Sequence, residues 1–419
     1  MERTTSGGTS AILSFAATVH SPWRVGLAFG VIAGADVDDQ FLPALLEGEQ
    51  KYLMQLASAF VWSRFSGLGW PWVDSLNVGS WAPSRIGQFL AYLPFSSPTW
   101  ERSNRLLEAN EAMYWSKTTA NPYETDSGLD VAAACLIRYG RPHAALRCID
   151  RTLHGAPPFN PALAVQALLA ALVADEDGHL IDSHEIIGII TALQIDLSTS
   201  EDDLFHVEWA YLALLDRHNG GAPKHLWHRL ATEPAFFCEV IRLVFKSKNE
   251  DRQPDNSNAE TKKIATNAYR LLSNWQTPPG YQSSGNYDGA ALDKWLDSVK
   301  AESTSTGHYE IAMTMLGNSL IHAPADPDGL WIHRAAASAL NQKDSAAMRD
   351  GFRTELFNSR GVHGFTSGEE ERNIAANYRA KADDVETAGF HRLATTLREL
   401  ADGYRKQAER ESTRSPFDD

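Results

Sequence analysis

Residues 390–408 of this chain read FHRLATTLRELADGYRKQA, and this stretch decides the fold class. Its apolar side chains recur at steps of one, three and four residues, which places them on one face of an α-helix. The same kind of spacing recurs from Phe236 to Phe245, behind Pro234, a residue suited to the first turn of a helix. Because strand-like alternation is weak elsewhere, the sequence predicts an all-α fold. The stripe of the last helix consists of Phe390, Leu393, Ala394, Leu397, Leu400, Ala401, Tyr404 and Ala408.

A second segment, Leu129 to Pro157, resembles one tetratricopeptide (TPR) unit. Its small and apolar residues predict two helices that approach each other closely, and Pro157 would close the unit. The characteristic Trp and Tyr of that motif are missing, and no second copy of comparable quality follows. We therefore expect an irregular array of helical hairpins, α-solenoid or TPR-like. The residues that carry the pattern are Leu129, Ala132, Ala133, Leu136, Ala145 and Ile149.

Length and composition limit the functional classes. With 419 residues the chain exceeds what one hydrophobic core usually organises, so we expect two to three domains or one elongated helical array. Its 38 basic and 53 acidic residues give a net charge of −15, which repels phosphate backbones and argues against a nucleic-acid partner. The spacing of Cys135, Cys148 and Cys238 argues against a disulfide framework or a thiolate zinc site. The expected compartment is a reducing cytoplasm.

One apolar run, Val25 to Ala35, is similar to the hydrophobic region of a signal peptide, and it ends in a cleavage-like Ala-Gly-Ala. The run is too short to span a bilayer. Pro22 and Arg24 interrupt the apolar stretch, and the first ten residues are polar. We therefore prefer a buried helix to a secretion signal, and we expect no membrane partner.

Composition divides the chain into four regions. Residues 1–120 form a Trp-rich helical region, and residues 121–248 form a helical-hairpin, TPR-like region. Residues 249–290 comprise polar linker and loop segments with a short helix, and residues 291–419 form a C-terminal helical module. The stretch from Lys246 to Lys263 is almost without apolar residues, which predicts a solvated loop or linker.

The first region is unusual in its tryptophans. Such a density of aromatic residues is typical of a ligand surface, since they are enriched at interfaces. The alternative is that they pack the helices together, and we prefer it because Trp is usually buried. Seven of the twelve tryptophans lie here, at Trp23, Trp62, Trp70, Trp72, Trp81, Trp100 and Trp115.

The usual catalytic signatures are missing from the sequence. It contains no GxxxxGK[ST] loop, no GxSxG elbow and no GxGxxG turn, which removes the markers of ATP, acyl-transfer and dinucleotide chemistry. His184-Glu185 begins like a zincin motif, but Gly188 stands where the second His ligand belongs. We therefore expect no cofactor and favour a protein that is not an enzyme.

A cluster of histidines forms the candidate metal site. His225 and His228 stand three residues apart on a predicted helix, so both imidazoles can face one ion. His218 or Asp216 would complete the site. The alternative places the neighbouring apolar residues in the core and the histidines on a polar face, and we prefer it.

The C-terminal third contains a constrained turn. Residues 358–361, Asn-Ser-Arg-Gly, are predicted to end one helix, because Asn and Gly suit left-handed backbone angles. Ser367 and Glu370 match the capping box of the next helix.

This turn presents the candidate partner-binding residues, which are Asn358, Arg360 and Gly361, with Arg372 on the following helix. Arg360 faces a helix start crowded with the acidic residues 369–371. The alternative to a partner contact is an internal ion pair with that acidic group, and we prefer it for Arg360.

Several segments also carry a family resemblance. The chain resembles the C-terminal helical-repeat region of large bacterial multidomain proteins of the conflict and anti-phage type. There the region follows nucleotidase-like or effector modules, so the resemblance implies a sensor or scaffold and carries over no catalytic residues. The segments are residues 322–329 (HAPADPDG), 358–362 (NSRGV), 369–372 (EEER) with Ala376 and Tyr378, and 397–404 (LRELADGY), with weaker likeness at 21–26 (SPWRVG), 93–95 (LPF), 114–115 (YW) and 208–212 (EWAYL).

The chain departs from this family in two respects. It starts at Met1 without such a module, and residues 362–365 read VHGF where a further basic residue is expected. Three alternatives are therefore open. The chain is a complete protein, a stand-alone relative of this family, or a truncated tail, for example an incomplete piece of a switch-type ATPase.

Two functional classes follow. The first is a non-enzymatic protein-interaction scaffold or sensor module, whose helical surface binds a protein partner. The second is a metal-dependent hydrolase that uses His218, His225 and His228, which predicts bound zinc or manganese. The sequence does not define the oligomeric state.

Overall fold

The fold is entirely α-helical in the residues that the structure describes. Within them there are 21 α-helices and no β-strand, and an isolated bridge pairs Tyr281 with Tyr287. The predicted all-α class is therefore confirmed. The structure is a computed structural model, which describes residues 8–48, 50–125, 127–155, 158–175, 182–216, 219–249, 258–282, 285–361 and 367–412.

The chain divides into two compact units, unit 1 (Met1–Asp203) and unit 2 (Leu204–Asp419). Short 3₁₀ helices at Val78–Ser80, Glu108–Asn110 and Pro122–Glu124 lie between the α-helices of unit 1. Its α-helices are α1 Gly8–Thr18, α2 Pro22–Ile32, α3 Ala35–Leu46, α4 Lys51–Ser75, α5 Pro83–Leu90, α6 Ser97–Leu107, α7 Ala112–Trp115, α8 Leu129–Arg138, α9 Pro142–Leu153, α10 Pro161–Ala171 and α11 Ser183–Ile195.

The boundary between the units falls inside the next helix, α12 Glu201–Ala210. The remaining helices belong to unit 2. They are α13 Lys224–Thr232, α14 Pro234–Val244, α15 Ala259–Ser273, α16 Gly289–Ser305, α17 Tyr309–Leu320, α18 Arg334–Asn341, α19 Ala346–Asn358, α20 Glu369–Thr387 and α21 His391–Ser412.

Two glycines allow α2 to pack closely on α4. A Cβ atom on Gly26 would collide with the carbonyl oxygen of Leu56, and one on Gly30 would lie 2.6 Å from the Cβ of Ser63. The signal-like run from Val25 to Ala35 therefore lies largely in a helix that packs against a neighbour in unit 1. None of the helices in the described residues is both long and apolar enough to cross a lipid bilayer.

A buried ion pair joins α3 to α4. Arg64 donates from Nε to Oδ1 of Asp38 (3.0 Å) and from Nη2 to Oδ2 (2.5 Å). Its Nη1 donates to the carbonyl of Ala33 (2.8 Å), and Trp72 Nε1 donates to the same Asp38 Oδ2 (2.8 Å). The Arg64 and Asp38 side chains are only 7% and 2% exposed. Each guanidinium nitrogen therefore has an acceptor, and both carboxylate oxygens have donors.

The TPR-like segment folds as two packed helices. Helix α8 buries Leu129, Ala132, Ala133 and Leu136, which form one face of the helix. Helix α9 buries the side chains predicted for the second helix, Ala145 and Ile149, among others. Pro157 lies outside the described residues, and a TPR-like repeat stays a prediction.

The helices that were clearest in the sequence are present in unit 2. Helix α14 has Pro234 in its first turn and buries Phe237, which packs against Trp275 and Trp295 at ring-centroid distances of 5.5 and 5.0 Å. Helix α21 buries the predicted stripe from Leu393 to Ala408. Both predictions are confirmed.

The polar stretch from Lys246 to Lys263 is partly helical, which differs from the predicted loop. Helix α15 begins at Ala259, because Asn258 caps it: Oδ1 of Asn258 accepts a hydrogen bond from the N–H of Thr261 (2.8 Å). Residues 250–257 lie outside the described residues. Residues 259–263 of this polar stretch thus form the first turn of a helix that is capped by Asn258 and buries Ala268, Leu271 and Leu272 further along.

The turn after α19 is confirmed, but the capping box of α20 is wrong. Helix α19 ends at Asn358, and Gly361 has a φ of +73°. At α20 the N-cap residue is Gly368 (φ +78°), and the Ser367 hydroxyl makes no capping hydrogen bond. A Cβ on Gly368 would collide with the backbone of Ala408, so the close approach of α21 fixes this helix start.

Candidate functional site

The four candidate partner-binding residues lie at the end of α19, in the turn that follows it and in the first turn of α20. Asn358 and Gly361 are exposed, and so is Arg372, whose guanidinium donates to the carbonyl of Ser367 (3.3 Å). Arg360 differs from them, because its side chain is only 10% exposed. The structure thus places three of the four residues at the surface and turns the fourth inward.

Arg360 forms an ion pair with the acidic start of α20. Its Nη2 donates to the carboxylate of Glu371, which is fully buried, and lies 3.4 Å from Oε2 of Glu370. Burial lowers the pKa of Arg360, but the hydrogen bond and charge of Glu371, together with Glu370, outweigh burial and raise that pKa overall. The internal ion pair expected for this arginine is therefore present.

The hydrogen bonding of Arg360 is incomplete within the described residues. Its Nε and Nη1 atoms are buried and have no acceptor there. The guanidinium carbon lies 5.8 Å from the ring centroid of Tyr404, which provides a weaker aromatic contact. Residues 362–366, which include the VHGF sequence, lie outside the described residues.

The candidate metal ligands are only partly within the described residues, because His218 lies outside them. His228 is exposed on α13, whereas His225 is half-buried at the start of the same helix. The described part of the chain contains no group of three or more His, Cys, Asp or Glu side chains placed to hold a metal ion. The metal site stays a prediction.

A buried glutamate, which the sequence did not single out for this role, holds the start of α13. Glu208 is fully buried, and its Oε1 and Oε2 accept hydrogen bonds from the backbone N–H groups of His225 (3.1 Å) and Leu226 (2.9 Å). The N–H groups of a first turn carry partial positive charge, so they stabilise a carboxylate. The backbone of His225 therefore contributes to a helix cap.

The three thiols are poorly suited to nucleophilic chemistry. Burial raises the pKa of Cys148 to about 12. Burial and the charge of Glu302 raise the pKa of Cys238 to about 12. Burial and the charge of Glu111 also raise the pKa of Cys135. Because the thiolate is the nucleophile, these groups are largely protonated near neutral pH.

The segment 322–329, which supported the family resemblance, forms a turn organised by Asp326. Its Oδ2 accepts a hydrogen bond from the N–H of Arg334 (2.8 Å), and its Oδ1 accepts one from the N–H of Asp328 (3.1 Å). The N–H of Arg334 is the main cause of the lowered pKa of Asp326. Since Arg334 is the first residue of α18, this carboxylate helps to start that helix.

The tryptophans of the first region include an exposed pair and a buried group. Trp23 and Trp62 are 45% and 48% exposed, and with Tyr92 they line a cavity of about 450 Å³. The buried group, by contrast, packs helices together, as we preferred from the sequence. It comprises Trp72, Trp81, Trp100 and Trp115.

Another cavity, of about 790 Å³, lies between α6, α7, α8 and α10 of unit 1. Trp100 of α6 and Trp115 of α7 contribute to its lining. Helix α8 presents the face opposite to its core, on which residues 131, 134, 135 and 138 recur at three- and four-residue steps. This cavity therefore lies on the outer face of α8, with two largely buried tryptophans in its lining.

Four charged side chains line this cavity: Glu101, Glu111, Asp130 and Arg138. The ion pairs of unit 1 within the described residues join other side chains, so none of these four is paired there. Three carboxylates thus share the cavity with one guanidinium. We call it the acidic cavity.

The acidic cavity was not predicted from the sequence. No protein-family model, curated protein or solved structure matches the chain. The candidate site therefore rests on its geometry. The available signal was the second face of α8, from Val131 to Arg138, which neither core packing nor a helix cap explains. Glu101 lies on α6, Asp130 on α8 and Glu111 just before α7, and only the tertiary structure brings them together.

Proposed function

We propose that this chain is a non-enzymatic protein-interaction scaffold that binds a segment of a partner protein in the acidic cavity. The observation that carries the proposal is the set of three carboxylates, unpaired within the described residues, beside the Trp100 and Trp115 side chains. Binding pockets of roughly 300–1,000 Å³ typically combine an apolar lining with a few polar groups that orient the ligand. A cavity of about 790 Å³ with this lining fits that description.

The packing around the cavity supports a pre-formed site. Trp100 packs against Phe95 and Trp115 at ring-centroid distances of 5.0 and 6.2 Å. Gly128, with a φ of +76°, starts α8 next to Trp100, where a Cβ atom would lie 3.0 Å from the indole ring. A wall held in this way loses little conformational freedom when a partner binds, which favours affinity.

The family resemblance gives this scaffold a setting. Together with the raised pKa values of the cysteines, it favours binding over catalysis. The proposed role is therefore that of a sensor or scaffold module in a cytoplasmic, bacterial defence-type protein.

The test is to fill the cavity. Ala134 is an exposed residue of α8 that lines it, so Ala134→Trp should block the site without disturbing the core face of the helix. The full-length tagged chain, its Ala134→Trp variant and the control Ala380→Trp, at an exposed position of α20, would be recovered from the native host. We expect a protein partner that the wild type and the control retain and that Ala134→Trp loses.

A partner retained equally by all three chains would contradict a role for the acidic cavity. A chain recovered without any partner would contradict the scaffold itself. In that case zinc or manganese at near-stoichiometric amounts, lost when His225 or His228 is replaced by alanine, would favour the hydrolase.

A further inference from the structure

The charges of the acidic cavity define the chemistry of its ligand. Glu101, Glu111 and Asp130 outnumber Arg138 by three to one, and none of them is neutralised by an ion pair in the described residues. We infer that the cavity selects a partner segment carrying an arginine side chain next to an apolar residue, an inference that rests on the proposed scaffold function. An acidic or phosphorylated segment would instead meet three like charges, which disfavours its binding.

The carboxylates favour arginine among cationic side chains. A guanidinium presents five N–H donors in a fixed plane and bonds carboxylates in pairs, which a lysine ammonium does not. The acidic cavity offers carboxylates for such paired bonds from Glu101 on α6, Asp130 on α8 and Glu111 just before α7. Trp100 and Trp115 are only 7% and 1% exposed, so the carboxylates, and not ring stacking, carry the preference for arginine.

The remaining lining favours an apolar neighbour for that arginine. Val131 is 56% exposed on the outer face of α8, and Leu163 of α10 also lines the cavity. An apolar side chain of the partner would cover this surface and remove it from water. Arg138 sits at the end of the same face of α8, so it would repel a second cation placed there.

The charge of the cavity already acts on a neighbouring group. Burial is the main cause of the raised pKa of the Cys135 thiol, the carboxylate of Glu111 adds to it, and Arg138 opposes it. Both groups therefore lie close enough to Cys135 for their fields to be felt at the cavity wall. The carboxylate that disfavours a thiolate here would attract a cation in the cavity.

The experiment uses pools of short peptides on the purified full-length chain. Each pool has one fixed central residue, with random residues on both sides, and the fixed residue is arginine, lysine, citrulline, leucine or glutamate. Citrulline is the informative control, because it keeps the shape of arginine and lacks its charge. We expect the arginine pool to be retained most and the recovered peptides to be enriched in apolar residues beside the arginine.

Variants then locate the binding. The triple variant Glu101→Gln, Glu111→Gln, Asp130→Asn should weaken binding of the recovered arginine peptide by about tenfold, since each exposed charge pair contributes modestly. Arg138→Gln should strengthen it by roughly twofold to fivefold, because it removes the one like charge.

A matched control has the same change of net charge away from the cavity. Asp39→Asn, Glu260→Gln, Asp297→Asn replaces three exposed carboxylates and should leave the affinity within about twofold. Equal losses in the two triple variants would overturn the inference, because they would mean attraction to the overall charge of −15 alone. Equal retention of the citrulline and arginine pools would also overturn it.

Two further outcomes separate this inference from the scaffold function. If Ala134→Trp loses a protein partner but no pool prefers arginine, the scaffold stands and the arginine selectivity fails. If spermidine binds to the cavity and none of the peptide pools does, the ligand is a small polyamine and the inference is overturned.

Discussion

The two buried arginine–carboxylate pairs of this protein differ in how completely they are hydrogen-bonded. In unit 1, Arg64 and Asp38 satisfy one another, with Ala33 and Trp72 as further partners. In unit 2, Arg360 contacts the fully buried Glu371 through Nη2, while its Nε and Nη1 have no acceptor within the described residues. Both arginines are at most 10% exposed, so burial alone does not distinguish them.

The difference shows why two buried ion pairs can contribute differently to stability. Taking charges out of water has a large cost, which a pair recovers only when its remaining N–H groups and oxygens are also bonded. The Asp38–Arg64 pair meets that condition. The Glu371–Arg360 pair meets it in part, so the net contribution of its arginine to stability should be smaller.

The largest effect is expected from breaking the complete pair. Asp38→Ala leaves the Arg64 guanidinium buried without a counter-charge and removes the acceptor of Trp72 Nε1. Breaking a buried pair from one side typically costs about 3–5 kcal/mol, so we expect a loss of that size in the free energy of unfolding. Urea denaturation, followed by hydrogen exchange in peptides of α3 and α4, measures it in unit 1.

The double variant Asp38→Ala, Arg64→Met is the control. It removes both charges, so it should recover a substantial part of the lost stability. A double variant as unstable as the single one would mean that packing around these positions, and not the unpaired charge, sets the cost.

The comparison also separates what the sequence predicts from what it does not. Arg360 and Glu371 are eleven residues apart in the sequence, so the ion pair was expected from the acidic helix start that follows Arg360. Asp38 and Arg64 are 26 residues apart on different helices, and no local pattern relates them. Local spacing in the sequence therefore predicts the Arg360–Glu371 pair but not the Asp38–Arg64 pair.

The same distinction holds for the helices and the candidate site. The stripe of α21 and the helix end at Asn358 were predicted, because spacing and a left-handed glycine are properties of neighbouring residues. The start of α20 was not predicted, because the close approach of the Ala408 backbone favours Gly368 as the N-cap residue over Ser367. The acidic cavity needs carboxylates from α6, from α8 and from the residue before α7, so its composition emerges only once these segments have packed.

A smaller effect is expected from breaking the incomplete pair. Arg360→Met leaves Glu371 without this cation, but it also removes two buried N–H groups that lack acceptors within the described residues. We therefore expect a loss of about 1–3 kcal/mol in the free energy of unfolding, less than for Asp38→Ala. Hydrogen exchange in peptides of α20 and α21 would report it.

Arg372→Met provides the comparison on the surface. This exposed arginine donates one long hydrogen bond of 3.3 Å, so its loss should change stability by less than about 0.5 kcal/mol. If Arg360→Met were equally neutral, the ion pair would contribute nothing, and a partner contact would become the better explanation of Arg360.

The smallest effect concerns a carboxylate whose hydrogen-bond partners are mainly backbone groups. Asp326 is 7% exposed and accepts the N–H groups of Arg334 and Asp328, and these bonds hold its pKa below the ordinary 3.8. Asp326→Asn keeps one acceptor and replaces the other with an amide group that cannot accept. We expect a loss of about 1 kcal/mol at pH 7, typical of a lost helix-start hydrogen bond.

The pH dependence of the stability lost in Asp326→Asn tests whether hydrogen bonds to the ionised carboxylate cause that loss. A carboxylate whose pKa is lowered in the folded state stabilises the fold above its unfolded pKa, and this contribution disappears as the pH falls through the folded pKa. The difference in the free energy of unfolding between wild type and Asp326→Asn should therefore be constant from pH 7 to about pH 5 and shrink below about pH 4. Hydrogen exchange in peptides spanning α18 measures it, and a difference that persists unchanged to pH 3 would show that shape, and not charge, matters at Asp326. In that case the ionised carboxylate would matter for stability in the Asp38–Arg64 pair, where it faces a buried counter-charge, but not at Asp326.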